Sequence, residues 1–366
     1  MFSIRILTHQ PLRLMLTIGG SALCIVLILF LVSIYRGVAD GSVEYVRKSN
    51  ADIWVLQRNA TNILRGSSIL STAHGYVLRE IPGVQVASPV LFILTTVRTQ
   101  NQAATLFLAG YDLQTGLGGP PEIRVGRTVA DDDEIVLDRS FAAKFGYNVG
   151  DIIRLQDDSL RVVGLSGGTN AFVIQYAFAS IHRVQSQIGF PTLVTCYQVQ
   201  IAQGYDVGGV MDAIRSDFPA VEVYDRQVFL NNNVHEMESG FLPLLYTLAF
   251  IGGIVLTVIL SLLLSINLLE RKKDFAVLKT LGAPRGFLPR TIIAQAAAIS
   301  TSGCLVGIGL FFPLSALIEK LSPEVSTKSS VEQVLVVVGG AIGLGLISAL
   351  FTMRRLRSIY ALEAFT

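Results

Sequence analysis

The sequence predicts a membrane α-helical protein with four transmembrane helices, both termini in the cytoplasm, and a large extracytoplasmic α+β domain. Only 15% of the 366 residues are charged and the mean hydropathy is +0.55, whereas soluble domains carry about 25% charged residues. The charges are also unevenly spread, and they leave four long windows without Asp, Glu, Lys or Arg. This composition excludes an intrinsically disordered chain, which combines low hydrophobicity with high net charge.

The four charge-free windows hold 22, 31, 28 and 21 residues. Crossing a hydrocarbon core of about 30 Å at about 1.5 Å per residue takes roughly 20 residues, so each window is long enough. The first window is too long for the apolar part of a cleaved signal peptide, and we interpret it as a retained anchor. Pro243 and Pro313 are expected to mark boundaries or kinks. The predicted spans are 14–36, 243–269, 289–318 and 333–353.

The distribution of charge predicts the orientation. Residues 1–13, 270–290 and 354–366 together carry eleven basic and three acidic residues. An excess of Lys and Arg beside the spans is typical of the cytoplasmic side. The long segment 37–238 carries 15 basic and 21 acidic residues, so we expect it to lie outside. The segment 319–332 is then a short outer loop.

The outer segment has the pattern of a folded domain between two stalks. Residues 37–51 and 226–242 are polar and compatible with helices, and they flank the predicted domain 52–225. Within the domain, 52–115 and 193–225 alternate between strand and helix patterns, which predicts one split βαβ sheet. Between them, 116–192 begins at a Gly- and Pro-rich break and is expected to form a small, self-contained β-rich insertion. The strands expected are 52–57, 84–98, 104–111, 134–138, 151–155, 160–165, 195–202 and 221–224, and the helices are 72–81, 140–145 (with Gly146 as its C-cap) and 205–218.

Residues 164–168 fit the G-x-S-x-G pattern of a hydrolase nucleophile elbow, with Ser166 as the candidate nucleophile and His182 and His235 downstream. An elbow requires a helix directly after the serine, whereas 169–179 is apolar and strand-like. We therefore favour a glycine-rich loop over a hydrolase site.

Other catalytic and metal-binding classes have weaker support. No lysine follows a glycine, so a Walker A motif is absent and the chain is not expected to be an ATPase or another enzyme. The acidic run 131–134 could attract a cation, but its spacing favours a solvated loop. Cys196 is the one cysteine in the outer domain, so no disulfide is expected there.

The charge-free windows contain no Asp, Glu, Lys, Arg or His, which argues against an ion-coupled transporter. They do contain glycines four residues apart, at Gly303 and Gly307 and again at Gly339 and Gly343. Such spacing allows helix backbones to approach closely, within one chain or between subunits, although flexible filler is the alternative.

The loop between the second and third spans has the most specific pattern. Residues 270–284 begin with charges and then place Phe275, Leu278 and Leu281 three residues apart, ending at Gly282. This pattern predicts a short amphipathic helix. A helix that lies on the membrane surface with its basic side chains reaching the headgroups is the alternative.

Residues 267–283 resemble the motif of FtsX/MacB-type (LolC/E- and DevC-like) ABC transporter permeases, E-R-x-x-E-I-G-x-L-K-A-L-G-A. The residues that match are Glu270, Arg271, Leu278, Lys279, Leu281, Gly282 and Ala283, and the conservative departures are Asp274, Phe275, Ala276 and Thr280. The terminal sequence 362–364 is similar to that family's P-x-E-A-L element, with Ala361 in place of proline. Residues 51–57 are similar to the DevC/MacB branch.

The resemblance implies a MacB-like periplasmic core domain and a place in the bacterial inner membrane. It implies a separate ABC ATPase subunit that holds ATP and Mg²⁺, so this chain needs no cofactor. The further partners it implies are a second permease copy in a homodimer, membrane lipids and, in some members, a periplasmic adaptor (membrane-fusion) protein, with no role for nucleic acid. The ATPase-coupling residues carried over from the motif are Glu270, Arg271, Lys272, Lys273, Asp274, Phe275, Leu278, Lys279, Leu281 and Gly282, with a second contact at 356–365.

The function implied is mechanotransmission, in which ATP hydrolysis by the partner drives the export or extraction of a lipid, lipoprotein or other amphiphile. The alternative is an FtsX-like signalling scaffold that controls an extracytoplasmic protein such as a cell-wall hydrolase, without transport.

Overall fold

The computed structural model describes residues 11–63, 68–99, 103–156, 158–171, 174–240, 242–270, 277, 284, 287–322, 325, 327 and 329–356. The chain divides into two compact units. The membrane unit comprises the chain up to Arg36, Pro243–Ile318 and the chain from Thr327, and the outer unit comprises Gly37–Leu242 with Glu319–Ser326.

The described elements follow one another along the chain as helices α1–α9 and strands β1–β13. In chain order they are α1 (Pro11–Lys48), β1 (Ile53–Gln57), β2 (Leu70–Ser71), α2 (His74–Glu80), β3 (Val84–Arg98), β4 (Ala103–Tyr111), β5 (Ile123–Gly126), β6 (Glu134–Asp138), α3 (Arg139–Phe145), β7 (Ile152–Leu155), β8 (Asp158–Ser166), β9 (Asn170–Ala171), β10 (Ile174–Ser180), α4 (Ile181–Ile188), β11 (Leu193–Val194), β12 (Cys196–Ile201), α5 (Val207–Asp217), β13 (Val221–Asp225), α6 (Arg226–Ser239), α7 (Leu242–Glu270), α8 (Phe287–Leu321) and α9 (Val331–Leu356).

The membrane unit contains the four predicted spans. Helical segments long and apolar enough to cross a membrane are Met15–Gly41, Pro243–Ile266, Pro289–Leu321 and Val331–Arg354. Pro243 lies at the start of α7, whereas α8 continues through Pro313, so Pro313 does not mark a boundary. The buried apolar side chains that hold the bundle together come from all four helices, among them Ile25, Leu29, Leu260, Ile299 and Ala349.

The outer unit is built on one mixed sheet with the order β13-β1-β12-β3-β4-β10-β6-β8-β5. β1 pairs with β12 on one side and with β13 on the other, both antiparallel, so segments before and after the central region share one sheet. β3 and β4 form the predicted antiparallel hairpin. The split sheet expected from the sequence is therefore present.

The region 116–192 is rich in strands, as predicted, but it is not self-contained. β10 lies parallel to β4, from Gln175 beside Leu106 to Ser180 beside Tyr111, and β6 and β8 continue the same sheet beyond it. The physical reason is burial: β10 places Tyr176 and Phe178 in the same apolar cluster as Phe107. The expectation of a separate insertion was wrong because a parallel, non-local strand pairing leaves no local sequence signal.

Local end signals explain two of the short helices. Asp138 caps α3 by accepting from the backbone N–H of Ser140, and Gly146 ends it in the left-handed region, as predicted. α4, which was not predicted, begins at Ser180, whose hydroxyl accepts from the backbone N–H of Arg183, and it ends at Gly189.

The sheet has an apolar layer on each face. One layer packs against α2, α3, α4 and α5 through residues such as Leu78, Phe141 and Ile214. The other layer packs against the end of α1 and against α6, through Tyr45 and Phe229. The two predicted stalks therefore cover the same face of the sheet.

Candidate functional site

The C-terminal end of α1 is anchored in the core of the outer unit by Tyr45, which is 1% exposed. Its hydroxyl donates to the carbonyl oxygen of Gly118 at 2.7 Å and accepts from Nε2 of Gln198 at 3.1 Å. The amide oxygen of Gln198 in turn accepts from Oγ of Ser49 at 3.0 Å. We call these four residues the stalk anchor. They tie the end of the first stalk to β12 and to the loop after β4.

Aromatic contacts surround the same ring. Tyr45 stacks on Tyr176 with centroids 5.1 Å apart, and it meets Phe92 and Trp54 edge-on at 5.7 and 6.2 Å. Burial raises the pKa of Tyr45 well above its ordinary value. A tyrosine hydroxyl is protonated at physiological pH even at its ordinary pKa, so the hydroxyl of Tyr45 has the proton that its hydrogen bond to Gly118 requires.

The second stalk, α6, follows the domain in the chain and contacts the same aromatic cluster. Phe229 is fully buried and stacks on Trp54 with centroids 4.6 Å apart. The side chain of Asn233 accepts from the backbone N–H of Ile63 and donates to the carbonyl of Phe229. Asp225 caps the helix through the backbone N–H groups of two residues in its first turn. Trp54 of β1 thus contacts both stalks.

Of the predicted ATPase-coupling residues, Glu270 is described and is the last residue of α7. The others lie outside the described residues: Arg271, Lys272, Lys273, Asp274, Phe275, Leu278, Lys279, Leu281 and Gly282. The second predicted contact, 356–365, also lies outside them from residue 357 onward. The amphipathic helix at 270–284 stays a prediction.

The four glycines predicted to pack helices have two different surroundings. A Cβ added to Gly307 would lie 3.1 Å from Cγ2 of Ile25 and 3.2 Å from the carbonyl of Ala22, and one added to Gly303 would overlap the hydroxyl of Ser21. α8 therefore approaches α1 closely at both positions. Around Gly339 and Gly343 of α9, no described atom lies within 4 Å of such a Cβ.

Ser166 does not have the surroundings of a nucleophile. It is fully buried at the end of β8, where its hydroxyl lies 2.7 Å from Oγ1 of Thr169, to which it donates, and 3.3 Å from the carbonyl oxygen of Leu137. Thr169 in turn donates to the Asp138 carboxylate at 2.6 Å, and burial raises the pKa of that carboxyl. β9 follows Ser166 where an elbow needs a helix, so the hydrolase alternative is wrong.

The acidic run 131–134 is occupied by protein partners. The Arg127 guanidinium pairs with Glu134 and, through its hydrogen bond, holds the pKa of that carboxyl below its ordinary value. Arg183 pairs with Asp133. Among the residues that the structure describes, no cluster of three His, Cys, Asp or Glu side chains could hold a metal ion.

The stalk anchor was missed at the sequence level because its members are far apart in the chain. Tyr45 and Gln198 are separated by 153 residues. The available signals were weak: an aromatic residue in a polar helical segment, and one of the two glutamines of β12.

Two protein families match successive parts of the chain. The MacB-like periplasmic core domain family matches residues 14–217, more than half of the chain, and the FtsX-like permease C-terminal family matches residues 243–361. An uncharacterised ABC transporter permease of Mycobacterium tuberculosis is 23% identical over 99% of this chain and 98% of its own length. An uncharacterised ABC transporter permease of Mycobacterium bovis is 23% identical over 85% of this chain and 83% of its own length.

Two solved structures are similar to the outer part of the chain. The periplasmic region of MacB from Actinobacillus actinomycetemcomitans is 15% identical, with a TM-score of 0.41, and the match covers 51% of this chain and 94% of that one. The extracellular domain of the noncanonic ABC-type transporter YknZ from Gram-positive bacteria is 13% identical, with a TM-score of 0.37, and the match covers 48% of this chain and 100% of that one.

Proposed function

The chain belongs to the family of FtsX/MacB-type ABC transporter permeases, and we propose that it transmits ATP-driven movement from a separate ATPase subunit to its own outer unit. As an ABC transporter permease of this type, it is a multi-pass inner-membrane protein with a large extracytoplasmic domain. The proposal is that this domain does mechanical work on a lipid, lipoprotein or other amphiphile.

The observation that carries the proposal is the continuity of α1. It is a single 38-residue helix from Pro11 to Lys48, about 57 Å long at about 1.5 Å per residue. It contains the first span, and its last turns hold Tyr45 and Val46 in the apolar core of the outer unit. A helix that is continuous from a span into a folded core is suited to transmit displacement along its length.

The second connection is built differently. α6 ends at Ser239, Gly240 has the non-helical backbone angles φ −90° and ψ −97°, and α7 begins at Leu242. The chain therefore leaves helical geometry at Gly240 on the way to the second span, whereas α1 has no such break between Pro11 and Lys48. This difference supports the proposal that α1 is the stalk that transmits displacement.

The composition of the spans supports the proposed substrate class. Their charge-free windows contain no Asp, Glu, Lys, Arg or His that could line a pathway for a charged solute. A substrate that keeps its acyl chains in the lipid needs no such pathway. This supports an amphiphile that is lifted from the membrane rather than a solute that passes between the helices.

The coupling element proposed from the motif is the loop 270–284, with its basic run 271–273 and with Leu278 on its apolar side. The proposed assembly is a homodimer of this chain with two ATPase subunits, which hold ATP and Mg²⁺. If the termini lie in the cytoplasm, as the charge distribution predicts, this loop is on the same side of the membrane as those subunits.

The test is to co-express the full chain with its ATPase, reconstitute the complex in nanodiscs, and compare Leu278→Asp and Arg271→Glu with the wild type. We expect both variants to insert normally but to lose co-purification of the ATPase. Lys320→Glu is the matched control, since it reverses a charge at the opposite end of α8. A wild-type level of ATPase binding and ATP hydrolysis in Leu278→Asp would refute the coupling role. Stoichiometric capture of an extracytoplasmic protein, with no lipid movement, would instead support the signalling scaffold.

A further inference from the structure

Residues 164–168 have no catalytic role: they are the end of β8 and the two glycines that follow it, and Gly168 lies beside the end of α1. Gly168 has a φ of +74°, and a Cβ added there would lie 2.9 Å from Nζ of Lys48 and 3.0 Å from Oε1 of Glu44. The neighbouring Gly167 has the side chain of Arg124 at a similar distance. The positive φ favours glycine at 168, and a side chain there would have to displace the flexible ends of Lys48 and Glu44.

The two charges above Gly168 belong to an ion cluster that joins α1 to the sheet. Nζ of Lys48 lies 3.1 Å from Glu44, one turn earlier in the same helix, and 3.0 Å from Oε2 of Glu122, just before β5. The other carboxylate oxygen of Glu122 lies 3.0 Å from Arg124. The backbone carbonyl of Glu122 accepts from the N–H of Gly167, which fixes the loop beneath the cluster.

This cluster is partly open to water. The side chains of Lys48 and Glu122 are 36% and 32% exposed. Ion pairs with this exposure contribute little to folding stability because water competes for both charges. The fold of the domain therefore does not depend on the cluster, and the stalk anchor at Tyr45 already holds α1 to the sheet. A contact of this strength is suited to breaking and re-forming.

We propose that Lys48, Glu44 and Glu122, seated over Gly168, form a reversible latch that sets the position of the last turn of α1 on the sheet. The latch rests on the proposed function: it determines how completely a movement of α1 is passed to the outer unit. Its members are positioning residues, because none of them contacts substrate or nucleotide. The latch is closed when Lys48 pairs with Glu122 and open when water separates them.

The test uses hydrogen–deuterium exchange of residues 44–51 in the full chain, in nanodiscs with its ATPase. The variants are Lys48→Met, which keeps most of the side-chain length, Glu122→Gln, and the double variant. We expect each single change to speed local exchange by about two- to five-fold, as loss of a partly exposed ion pair allows. The effect of the double variant should be smaller than the two single effects combined, because both changes remove the same Lys48–Glu122 pair.

Arg47→Met is the matched control. It removes a charge from the same turn of α1, but the partner of Arg47 is Asp40 of the same helix. We expect its exchange at 44–51 to stay within about 1.5-fold of the wild type, since no contact with the sheet is lost. The free energy of urea unfolding should fall by no more than about 1 kcal/mol in these variants, which is the five-fold change in exchange converted at about 1.4 kcal/mol per factor of ten. A larger fall would indicate a general loss of stability instead of a latch.

The second arm compares nucleotide-free complex with complex trapped by Mg·ATP and vanadate. In the wild type, trapping should change exchange at 44–51, and Lys48→Met should reduce that change at least two-fold. Additive single effects, or single effects below 1.5-fold, would overturn the latch and leave the proposed function standing. A wild-type complex whose outer unit does not respond to trapping would overturn the proposed function and with it the role of the latch.

Discussion

Removal of one hydroxyl group, in Tyr45→Phe, tests whether the stalk anchor holds α1 to the outer unit. The substitution keeps the ring and therefore the stacking on Tyr176. It deletes the atom that donates to the carbonyl of Gly118 and accepts from the amide of Gln198. Both partners are buried, so water does not replace the lost bonds without a change in the structure.

The expected loss of stability comes from the buried polar groups that lose the Tyr45 hydroxyl as a partner. A buried polar group that loses its partner costs about 1–3 kcal/mol, more than the hydrogen bond contributes to stability when it is formed. Tyr45→Phe leaves a carbonyl oxygen and an amide N–H without this partner, while Ser49 still donates to the other end of the Gln198 amide. We expect the free energy of unfolding of the outer unit to fall by about 1–3 kcal/mol.

The single tryptophan of the chain provides a fluorescence assay. Trp54 is its only tryptophan, it is fully buried, and it contacts Tyr45 edge-on. Fluorescence of the full chain during urea unfolding in detergent micelles therefore reports the outer unit and not the spans. The dependence of the unfolding free energy on urea should be unchanged, so that the shift in midpoint measures stability alone.

Tyr76→Phe is the matched control, because Tyr76 belongs to the same domain but is 73% exposed. Its effect should stay within about 0.5 kcal/mol of the wild type. If Tyr45→Phe also stays within that range, the hydroxyl does not contribute to the anchor, and the reasoning that ties α1 to the sheet through a buried polar network is wrong.

Three further predictions concern other contacts. Phe229→Ala removes the ring that stacks on the tryptophan; it should destabilise the outer unit by about 3–5 kcal/mol in the same fluorescence assay, and an unchanged midpoint would contradict the anchoring of the second stalk. Gly307→Leu should overpack the contact with α1 and lower the stability of the membrane unit by about 1–3 kcal/mol, seen as a lower temperature of thermal aggregation in detergent. Gly339→Leu should leave that temperature unchanged because the space around Gly339 is open. Burial raises the pKa of the Cys196 thiol above its usual range, so Cys196 should resist a membrane-impermeant maleimide until urea is added. An exposed cysteine introduced by Ser186→Cys should react at once. Labelling of Cys196 in the native protein would show that β12 opens.

The parts of the fold that the sequence predicts are those under a simple physical constraint. The thickness of the hydrocarbon core requires about 20 uncharged residues in a row, so four windows predict four helices. The C-terminal end of α3 is predictable because Gly146 acts on backbone groups a few residues away, and Asp138 acts over a similarly short distance at the other end.

The parts that the sequence does not predict are those that depend on distant partners. β10 joins β4 in parallel across more than 60 residues, and neither strand encodes the other as its neighbour. Gly168 has the same limitation: in the sequence it completes a hydrolase-like pattern, whereas in the structure it makes room for Glu44 and Lys48 of a helix that precedes it by over 100 residues. The sequence does not show that a glycine adjoins another segment until the position of that segment is known.

The two attachments of α1 to the sheet differ in kind, and the difference has a mechanical consequence. Tyr45 is held by buried hydrogen bonds, which are costly to break because their partners cannot turn to water. Lys48, one turn further along, is held by a partly exposed pair that water can replace at little cost. Ser49, directly after Lys48, is again held by a buried hydrogen bond to Gln198, so the Lys48–Glu122 pair is the part of this attachment that is open to water. If α1 moves as proposed, we expect this pair, next to Gly168, to break before the hydrogen bonds of Tyr45 and Ser49 do.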